Sequence, residues 1–345
     1  MKIVSLDLHA EASQMFVRDD SGEILREMRI PTNREQLRRA VSEIPGEKYV
    51  VFEEGPLSSM VSEALQDLAE EVVSCDPARN ALIARDEDSD DERDARHLEK
   101  LFRLEAVRPV YIPEEPYLSL RSVLKHRTAL QRSATGVKNR IKALARRCDV
   151  GAGGKTLYES EKRSTALQQI DSEQMQWQMK SLWRQLDMLS AELQESEREA
   201  RKLTHRIPAV RRLRTIPGVG FVTSATLVAW IADPRRFKNR SALSAYGGLG
   251  LSQKETNWEP TGPAQASRRG NRQLKRVLFL AATAAGRTDS ALGFRYRARR
   301  RQGWNEIRSK RDVARKILHI SWALWRKGTE YDDELVNGPQ IGSRS

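Results

Sequence analysis

Only two cysteines, Cys75 and Cys148, occur in 345 residues. A disulfide framework is thereby excluded and a cytoplasmic setting expected. The five histidines and the two distant cysteines leave no zinc-ligand spacing. No run of about 18 apolar residues exists, so nothing is expected to span a bilayer. Aromatics are sparse at 6%, while 39% hydrophobic residues still suffice for ordinary cores. The first residues, Met1-Lys2-Ile3-Val4-Ser5, enter a strand-like pattern directly, and no signal peptide is expected. Acid is the scarcer charge. Against 60 Lys and Arg stand 47 Asp and Glu, for a net charge of +13. A pI of 9.9 points to a polyanionic partner, a nucleic acid or an anionic membrane surface.

Four of those acids have the layout of a two-metal phosphodiester site. Asp7 sits in the apolar run Ile3-Val4-Ser5-Leu6-Asp7-Leu8, and Glu53 follows Tyr49-Val50-Val51-Phe52. Asp91 and Asp94 are spaced i, i+3 ahead of Ala95-Arg96-His97-Leu98, which puts them on one helical face. A charge at the end of a buried strand must be paired, metal-bound or exposed. Four such carboxylates can hold two Mg²⁺ ions against a phosphodiester, while the basic remainder of the chain holds the polyanion. Two registers stay open: Glu54 competes with Glu53, and Asp90 with Asp91. Most acids in the 86–94 run read as a solvated loop.

At this length two or three domains are expected. Residues 1–112 alternate between strand and helix signals. Ile3–Leu8, Met15–Val17 and Ile24–Ile30 predict a strand meander, with a turn at Asp19-Asp20-Ser21-Gly22. Helix Asn33–Ile44 capped by Asn33, strand Tyr49–Phe52, helix Leu57–Leu68 and strand Glu71–Cys75, closed by Pro77, follow. That order fits a ribonuclease-H-like α/β domain. Residues 113–206 predict a basic helix, Ser119–Arg147, then a break at Gly151-Ala152-Gly153-Gly154. A heptad seam follows: Met175, Met179, Leu182, Leu186, Leu189 and Leu193, continued by Ala200 and Leu203. The seam serves either an internal helical hairpin or a dimerising stalk. A partner chain is the expectation taken here. Residues 207–335 predict a basic, mainly helical domain, and 336–345 a disordered polar tail.

The C-terminal domain carries candidate phosphate contacts. Ile216-Pro217-Gly218-Val219-Gly220 resembles the turn of a helix-hairpin-helix, whose backbone N–H groups at Gly218 and Gly220 can face a phosphate. After Tyr246-Gly247-Gly248-Leu249, a polar loop over Ser252–Gln265 is expected. It leads to a segment with Arg268, Arg269, Arg272, Lys275 and Arg276, where five of ten residues are basic. Arg295–Lys316 holds ten Lys or Arg, among them Arg299, Arg300 and Arg301, interleaved with Tyr296 and Trp304. Plain turns and solvated basic helix faces are the structural alternatives.

In this order, strand-Asp7, Phe52-Glu53-Glu54-Gly55, Cys75-Asp76-Pro77, Asp91-x-x-Asp94-Ala95, Ile216-Pro217-Gly218-Val219-Gly220, Arg236-Phe237, Tyr246-Gly247-Gly248-Leu249 and Arg269-Gly270-Asn271-x-x-Leu274-Lys275 resemble the IS one-ten family of insertion-sequence transposases. The resemblance covers almost the whole chain. It implies a RuvC-like DEDD nuclease domain, a coiled-coil middle and a C-terminal domain with a serine nucleophile. It also implies Mg²⁺, DNA and a structured guide (bridge) RNA as partners, and homodimers assembling into tetramers. One departure matters. Where the family has Gly-Leu-x-Pro and then Ser-Gly, this chain has Gly248-Leu249-Gly250-Leu251 and then Thr256-Asn257. Thr256 therefore stands at the serine position, Ser252 is the alternative hydroxyl, and a degenerate copy is the third possibility. A usual Lys-Ser/Thr ahead of the acidic pair is also replaced, by Ser89-Asp90. The expectation is a metal-dependent DNA recombinase, with a metal-dependent junction nuclease and an inactive nucleic-acid-binding relative as rivals.

Overall fold

Hydrophobic alternation builds the first unit. The computed structural model describes residues 1–76, 91–104, 106–107, 109–151, 154–256, 259–266 and 270–334, with backbone alone for 91–94, 154–155, 251–256 and 259–266. The strands expected from alternation form as β1 (Lys2–Asp7), β2 (Ala12–Asp19), β3 (Ile24–Pro31), β4 (Lys48–Glu53) and β5 (Glu71–Cys75). They make one mixed sheet in the order β3-β2-β1-β4-β5. The first three form the expected antiparallel meander, and β4 and β5 run parallel to β1. Helix α1 (Arg34–Ser42) begins where Asn33 caps it, its side-chain oxygen accepting from the Gln36 N–H at 2.9 Å. It joins β3 to β4, and α2 (Ser58–Leu65) joins β4 to β5.

Period-two alternation sorts the sheet's side chains to two faces. Val4, Leu6, Val50 and Phe52 pack with Leu37, Val41, Val61 and Leu65 from α1 and α2. Ile3, Val51, Val73 and Cys75 pack with Leu98 of α3 (Asp91–Arg103) on the other face. Each fully buried Leu, Val or Phe contributes about 1.5–3 kcal/mol over its exposed state.

The chain divides at Pro113 into two compact units, 1–113 and 114–345. The boundary expected at 206 separates no compact bodies. Leu120, Leu124 and Ala200 from the middle region share one core with Leu227, Ile231, Leu278 and Ile317 of the C-terminal region. In this second unit α4 (Tyr117–Arg147) and α6 (Glu173–Thr204) flank two short 3-10 turns and α5 (Arg163–Gln168). Then come α7 (Pro208–Leu213), α8 (Phe221–Ile231), a 3-10 turn, α9 (Arg240–Tyr246), the hairpin β6 (Leu251–Thr256) and β7 (Glu259–Ala266), α10 (Arg272–Ala285), α11 (Ala291–Arg301) and α12 (Glu306–Lys327). Every residue of α8 from Thr223 to Ile231 is buried, so this helix is the axis of the unit. Arg121 of α4 donates to the carbonyls of Ala229 and Trp230 at its C-terminal end, at 2.9 and 3.1 Å.

The heptad seam is filled from within the chain. Met179, Leu182 and Leu186 pack on Ala134, Val137, Ile141 and Leu144 of α4. The helices run antiparallel: Arg127 bonds Glu197 at 3.0 Å near one end, and Cys148 Sγ meets Met175 Sδ at 3.2 Å near the other. The partner-chain stalk expected for these residues is therefore replaced by an internal hairpin, because α4 already covers the apolar face. Leu186 is buried there, and Leu186→Asp leaves an unpaired charge in the seam. The expected outcome is a loss of about 3 kcal/mol or more in denaturant unfolding, with helicity falling in circular dichroism and no need for a change in mass.

The expected polar loop Ser252–Gln265 is instead the two-stranded β6–β7 hairpin, with Thr256 opposite Glu259 near its tip and Ser252 opposite Gln265 near its root. Residues 257–258, the basic pair Arg268 and Arg269, Pro77 and the tail 336–345 lie outside the described residues.

Candidate active site and nucleic-acid interface

Asp7 and Glu53 end two neighbouring parallel strands. The last paired row of β1 and β4 is Leu6 with Phe52, so Asp7 and Glu53 come next, side by side at the carboxyl edge. Leu6 and Phe52 face α1 and α2, and alternation turns Asp7 and Glu53 to the α3 face. Glu54 follows the end of β4, and the same alternation carried one residue on would face it the other way. Asp7 is half-buried, its Oδ2 lying 2.8 Å from His9 Nε2, while Glu53 is exposed.

Helix α3, which begins with Asp91 and carries Asp94, runs across this face against the direction of β1. The rings of Phe102 and Tyr49 lie 6.3 Å apart, in the row where Tyr49 pairs with Ile3. Glu99, 1% exposed, faces Arg18 in that row at 3.6 Å. Arg96 donates to Glu27 at 2.6 Å one step nearer the carboxyl edge, and its guanidinium lies over the Phe16 ring. From the Ile3 row, Asp7 and Glu53 are four residues on, about 13 Å at strand rise. Asp94 is eight residues back from Phe102, about 12 Å at helical rise, and Asp91 about 17 Å. The start of α3 is thus level with the two strand-borne acids. Among the described residues no three His, Cys, Asp or Glu side chains gather as ion ligands, and the side chains at 91–94 are outside that description. Two carboxylates on one face at one edge offer hard oxygen donors, which suit a Mg²⁺-like ion and not a soft one.

In the second unit the recognisable turns serve the root of the β6–β7 hairpin. Gly270 has φ +100°, and a Cβ there would lie 2.4 Å from Gly248 Cα and 2.7 Å from the Ala245 carbonyl oxygen. The two strands' roots thus pass glycine on glycine. Asn271 donates its N–H to the Tyr246 carbonyl at 2.7 Å, and its side-chain oxygen caps α10 by accepting from Gln273 and Leu274. Arg315 donates twice to the Leu249 carbonyl, at 3.0 and 2.7 Å. Tyr246 Oη donates to the Trp230 carbonyl at 2.9 Å, and Arg236 stacks over both Phe237 and Tyr246. Gly270→Ala combines a left-handed φ with backbone overlap and should cost about 2–5 kcal/mol in thermal or denaturant unfolding. A melting curve unchanged from wild type would refute the glycine contact.

The family described as "Transposase IS116/IS110/IS902 family" matches residues 210–297, and a DEDD transposase domain of IS110 elements matches residues 4–148. The chain belongs to the IS116/IS110/IS902 transposase family. An insertion element IS110 protein of 43.6 kDa from Streptomyces coelicolor is 32% identical over 131 residues, 38% of this chain and 32% of that protein. A transposase for insertion sequence element IS1111A from Coxiella burnetii is 25% identical over 220 residues, 61% of this chain and 60% of the relative. An insertion element IS116 protein from Streptomyces clavuligerus is 24% identical over 142 residues, 41% and 35% of the two chains. The chain thus aligns with between about a third and three fifths of these relatives' lengths.

Within this IS110-family chain the expected phosphate contacts divide. Gly218 packs on α10: a Cβ there would meet the Ala281 carbonyl at 2.4 Å and the Ala285 nitrogen at 2.6 Å. Its lack of a side chain admits α10, while Gly220 stays exposed ahead of α8. Arg299 is bound to Asp312 at 3.1 Å beside Arg295, so that expected contact is committed to an ion pair. Burial pushes the Asp312 carboxyl up, but the two guanidiniums outweigh it and hold it below its usual range. Arg300 donates to the Trp304 carbonyl at 2.5 Å, and Arg272 and Arg301 are exposed. Lys275 is half-buried. Arg276 is half-buried, donating to Thr128 Oγ1 at 2.7 Å, its pKa lowered by burial and by Arg127 and Arg132.

Sequence reasoning had Arg311, Arg315 and Lys316 in the Arg295–Lys316 run, but missed Arg240 and His319 beside them. On α12, Lys316 and His319 lie near Arg240 of α9, Arg315 lies near His319, and Arg311 lies near Arg315. His319 Nε2 is 2.7 Å from the buried Ser244 Oγ. Burial first, and neighbouring cations after it, lower the pKa of Arg311, Lys316 and His319. The i, i+4, i+8 spacing of Arg311, Arg315 and His319 was the available signal. Arg240, from another helix, had none.

Proposed function

We propose that this chain is a metal-dependent DNA transposase that exchanges strands through a covalent protein–DNA intermediate. The observation that carries the reading is the placement of Asp7 and Glu53 on the sheet face that α3 covers, level with the backbone of Asp91 and Asp94. The sheet order β3-β2-β1-β4-β5 supports a ribonuclease-H-like domain for residues 1–112, and the family membership supports DNA as the substrate. Asp7, Glu53, Asp91 and Asp94 would hold two Mg²⁺ ions, whose chemistry when bound would be to stabilise charge on the phosphodiester and ease deprotonation of an attacking hydroxyl. Thr256, or Ser252 in the other register, supplies that hydroxyl. Its oxygen forms a bond to phosphorus as the bond to the DNA 3′ oxygen breaks, and that oxygen leaves as a 3′ hydroxyl. A free 3′ hydroxyl of another strand then attacks the same phosphorus and releases the protein hydroxyl.

Arg272, Lys275, Arg276 and the cluster of Arg240, Arg311, Arg315 and Lys316 hold backbone phosphates against the root of the hairpin. A structured guide RNA selects the sites. Homodimers assemble to tetramers so that two duplexes meet, in the cytoplasm at the nucleoid. No described helix is long and apolar enough to cross a membrane. The test is the purified full chain with Mg²⁺ and DNA carrying the element's ends. A phenol-resistant protein–DNA adduct and a discrete co-purifying RNA are expected. Cleavage with no adduct gives the chain to a nuclease with water as nucleophile, and absence of both to a binding protein that has lost its chemistry.

A further inference from the structure

One aromatic side chain has no use in the fold. Trp177 of α6 is 67% exposed, although indole burial is among the largest stabilising contributions a side chain can make. It borders a cavity of about 420 Å³ between α4 and α6. From α4 the lining takes Arg140, Ala143, Leu144 and Arg147, at i, i+3, i+4 and i+7, one helical face. From α6 it takes Trp177, Gln178, Ser181, Leu182 and Gln185. Leu144 and Leu182 are buried, whereas Arg140, Arg147, Trp177 and Gln178 are exposed. The nine lining residues include two arginines and no acid, so the occupant is anionic. The rim offers an open ring face and two amide side chains.

A duplex presents no unstacked base to a ring at the rim of a groove, whereas a single strand does. We propose that this groove seats an unpaired nucleotide, its base stacked on the Trp177 indole and the adjoining phosphates on Arg140 and Arg147. Gln178 and Gln185 can bond base edges, but stacking on one ring tolerates any base. The strand can be RNA or DNA, since both supply the same base and phosphodiester. The inference extends the nucleic-acid reading above but does not depend on its chemistry.

The test uses the full chain with unstructured oligo-U, oligo-dT and a blunt duplex at equal phosphate concentration, read by tryptophan fluorescence. Single strands should quench the emission and the duplex should not. Trp177→Ala should abolish the quenching and weaken single-strand binding roughly tenfold to a hundredfold. Trp177→Phe should restore affinity without the signal. Arg140→Gln and Arg147→Gln should each flatten the salt dependence by about one phosphate. Trp177 is exposed, so an unchanged melting curve for Trp177→Ala separates lost binding from lost fold. Stronger quenching by oligo-U marks an RNA strand as the occupant, and stronger quenching by oligo-dT marks DNA. Equal quenching by wild type and Trp177→Ala overturns the proposal. So does a fall in particle mass for Trp177→Ala with binding unchanged, which makes the face a contact between copies of the chain. Asp7→Asn should leave the quenching intact, so failure here and failure of the proposed chemistry are read separately.

Discussion

Asp7→Asn should cut Mg²⁺-dependent DNA strand cleavage by about a thousandfold while leaving the fold and nucleic-acid binding in place. Asn is nearly isosteric, and its side-chain oxygen can still accept from His9, the neighbour 2.8 Å from Asp7 in the wild type. What disappears is the negative charge that a hard cation needs. Stabilisation of a phosphodiester transition state by a bound ion is worth several kcal/mol, and each 1.36 kcal/mol is a factor of ten in rate. Glu53→Gln should act in the same way and Glu54→Gln should not, because the strand register turns only Glu53 toward α3. Gel-based cleavage with a parallel shift assay for binding measures both effects. Wild-type cleavage by Asp7→Asn sinks the metal-site assignment, and sensitivity at Glu54 in place of Glu53 sinks the register.

Thr256→Ala should abolish the covalent adduct, Thr256→Ser should keep or raise it, and Ser252→Ala should leave it unchanged. Removing an attacking hydroxyl costs at least about 10⁴-fold when the remaining groups act as a unit with it. Serine retains the oxygen and drops the β-methyl that crowds the approach to phosphorus. The backbone sets the two hydroxyls at different heights on the hairpin. Thr256 ends β6 near the hairpin tip, and Ser252 lies near the root, about 13 Å back at strand rise. Adduct yield after phenol extraction decides it. Loss in Ser252→Ala alone moves the nucleophile four residues toward the root, and an adduct that survives in every variant places it elsewhere.

Much of the first unit was legible because two-sided burial writes itself into sequence. Ile3, Ser5 and Asp7 alternate with Val4 and Leu6, so strand, face and edge follow from period two. Pairing of Asp7 with Glu53 needed more, namely the parallel register of β1 with β4, which no local pattern encodes. The Met175–Leu193 heptads stated that a helix must pack there, yet the same seam suits a neighbour in the chain or in another chain. Position within the fold, with α4 alongside, decided it. The β6–β7 hairpin was illegible because Pro260, Gly262 and Pro263 in β7 are residues that strands usually avoid. Gly218 carries a packing requirement that its motif does not display. A Pro-Gly-x-Gly turn that exposes N–H groups and one that admits a passing helix look alike until α10 is found against it. Arg240 and His319 come together only through the packing of α9 on α12.

The contact of Gly248 with Gly270 has a consequence for how such chains diversify. The segment between them leaves and re-enters the helical body at a single point, so its closure is fixed whatever lies beyond. Lengthening a loop closed in this way costs only a slowly growing entropy, about 0.6 kcal/mol per doubling. Beyond Leu249, which is itself buried in the core, residues 250–269 are in that sense a cassette. Changes in their length and sequence, the proposed hydroxyl included, should leave the stability of the body that holds them in place, provided the two glycines at the door are kept.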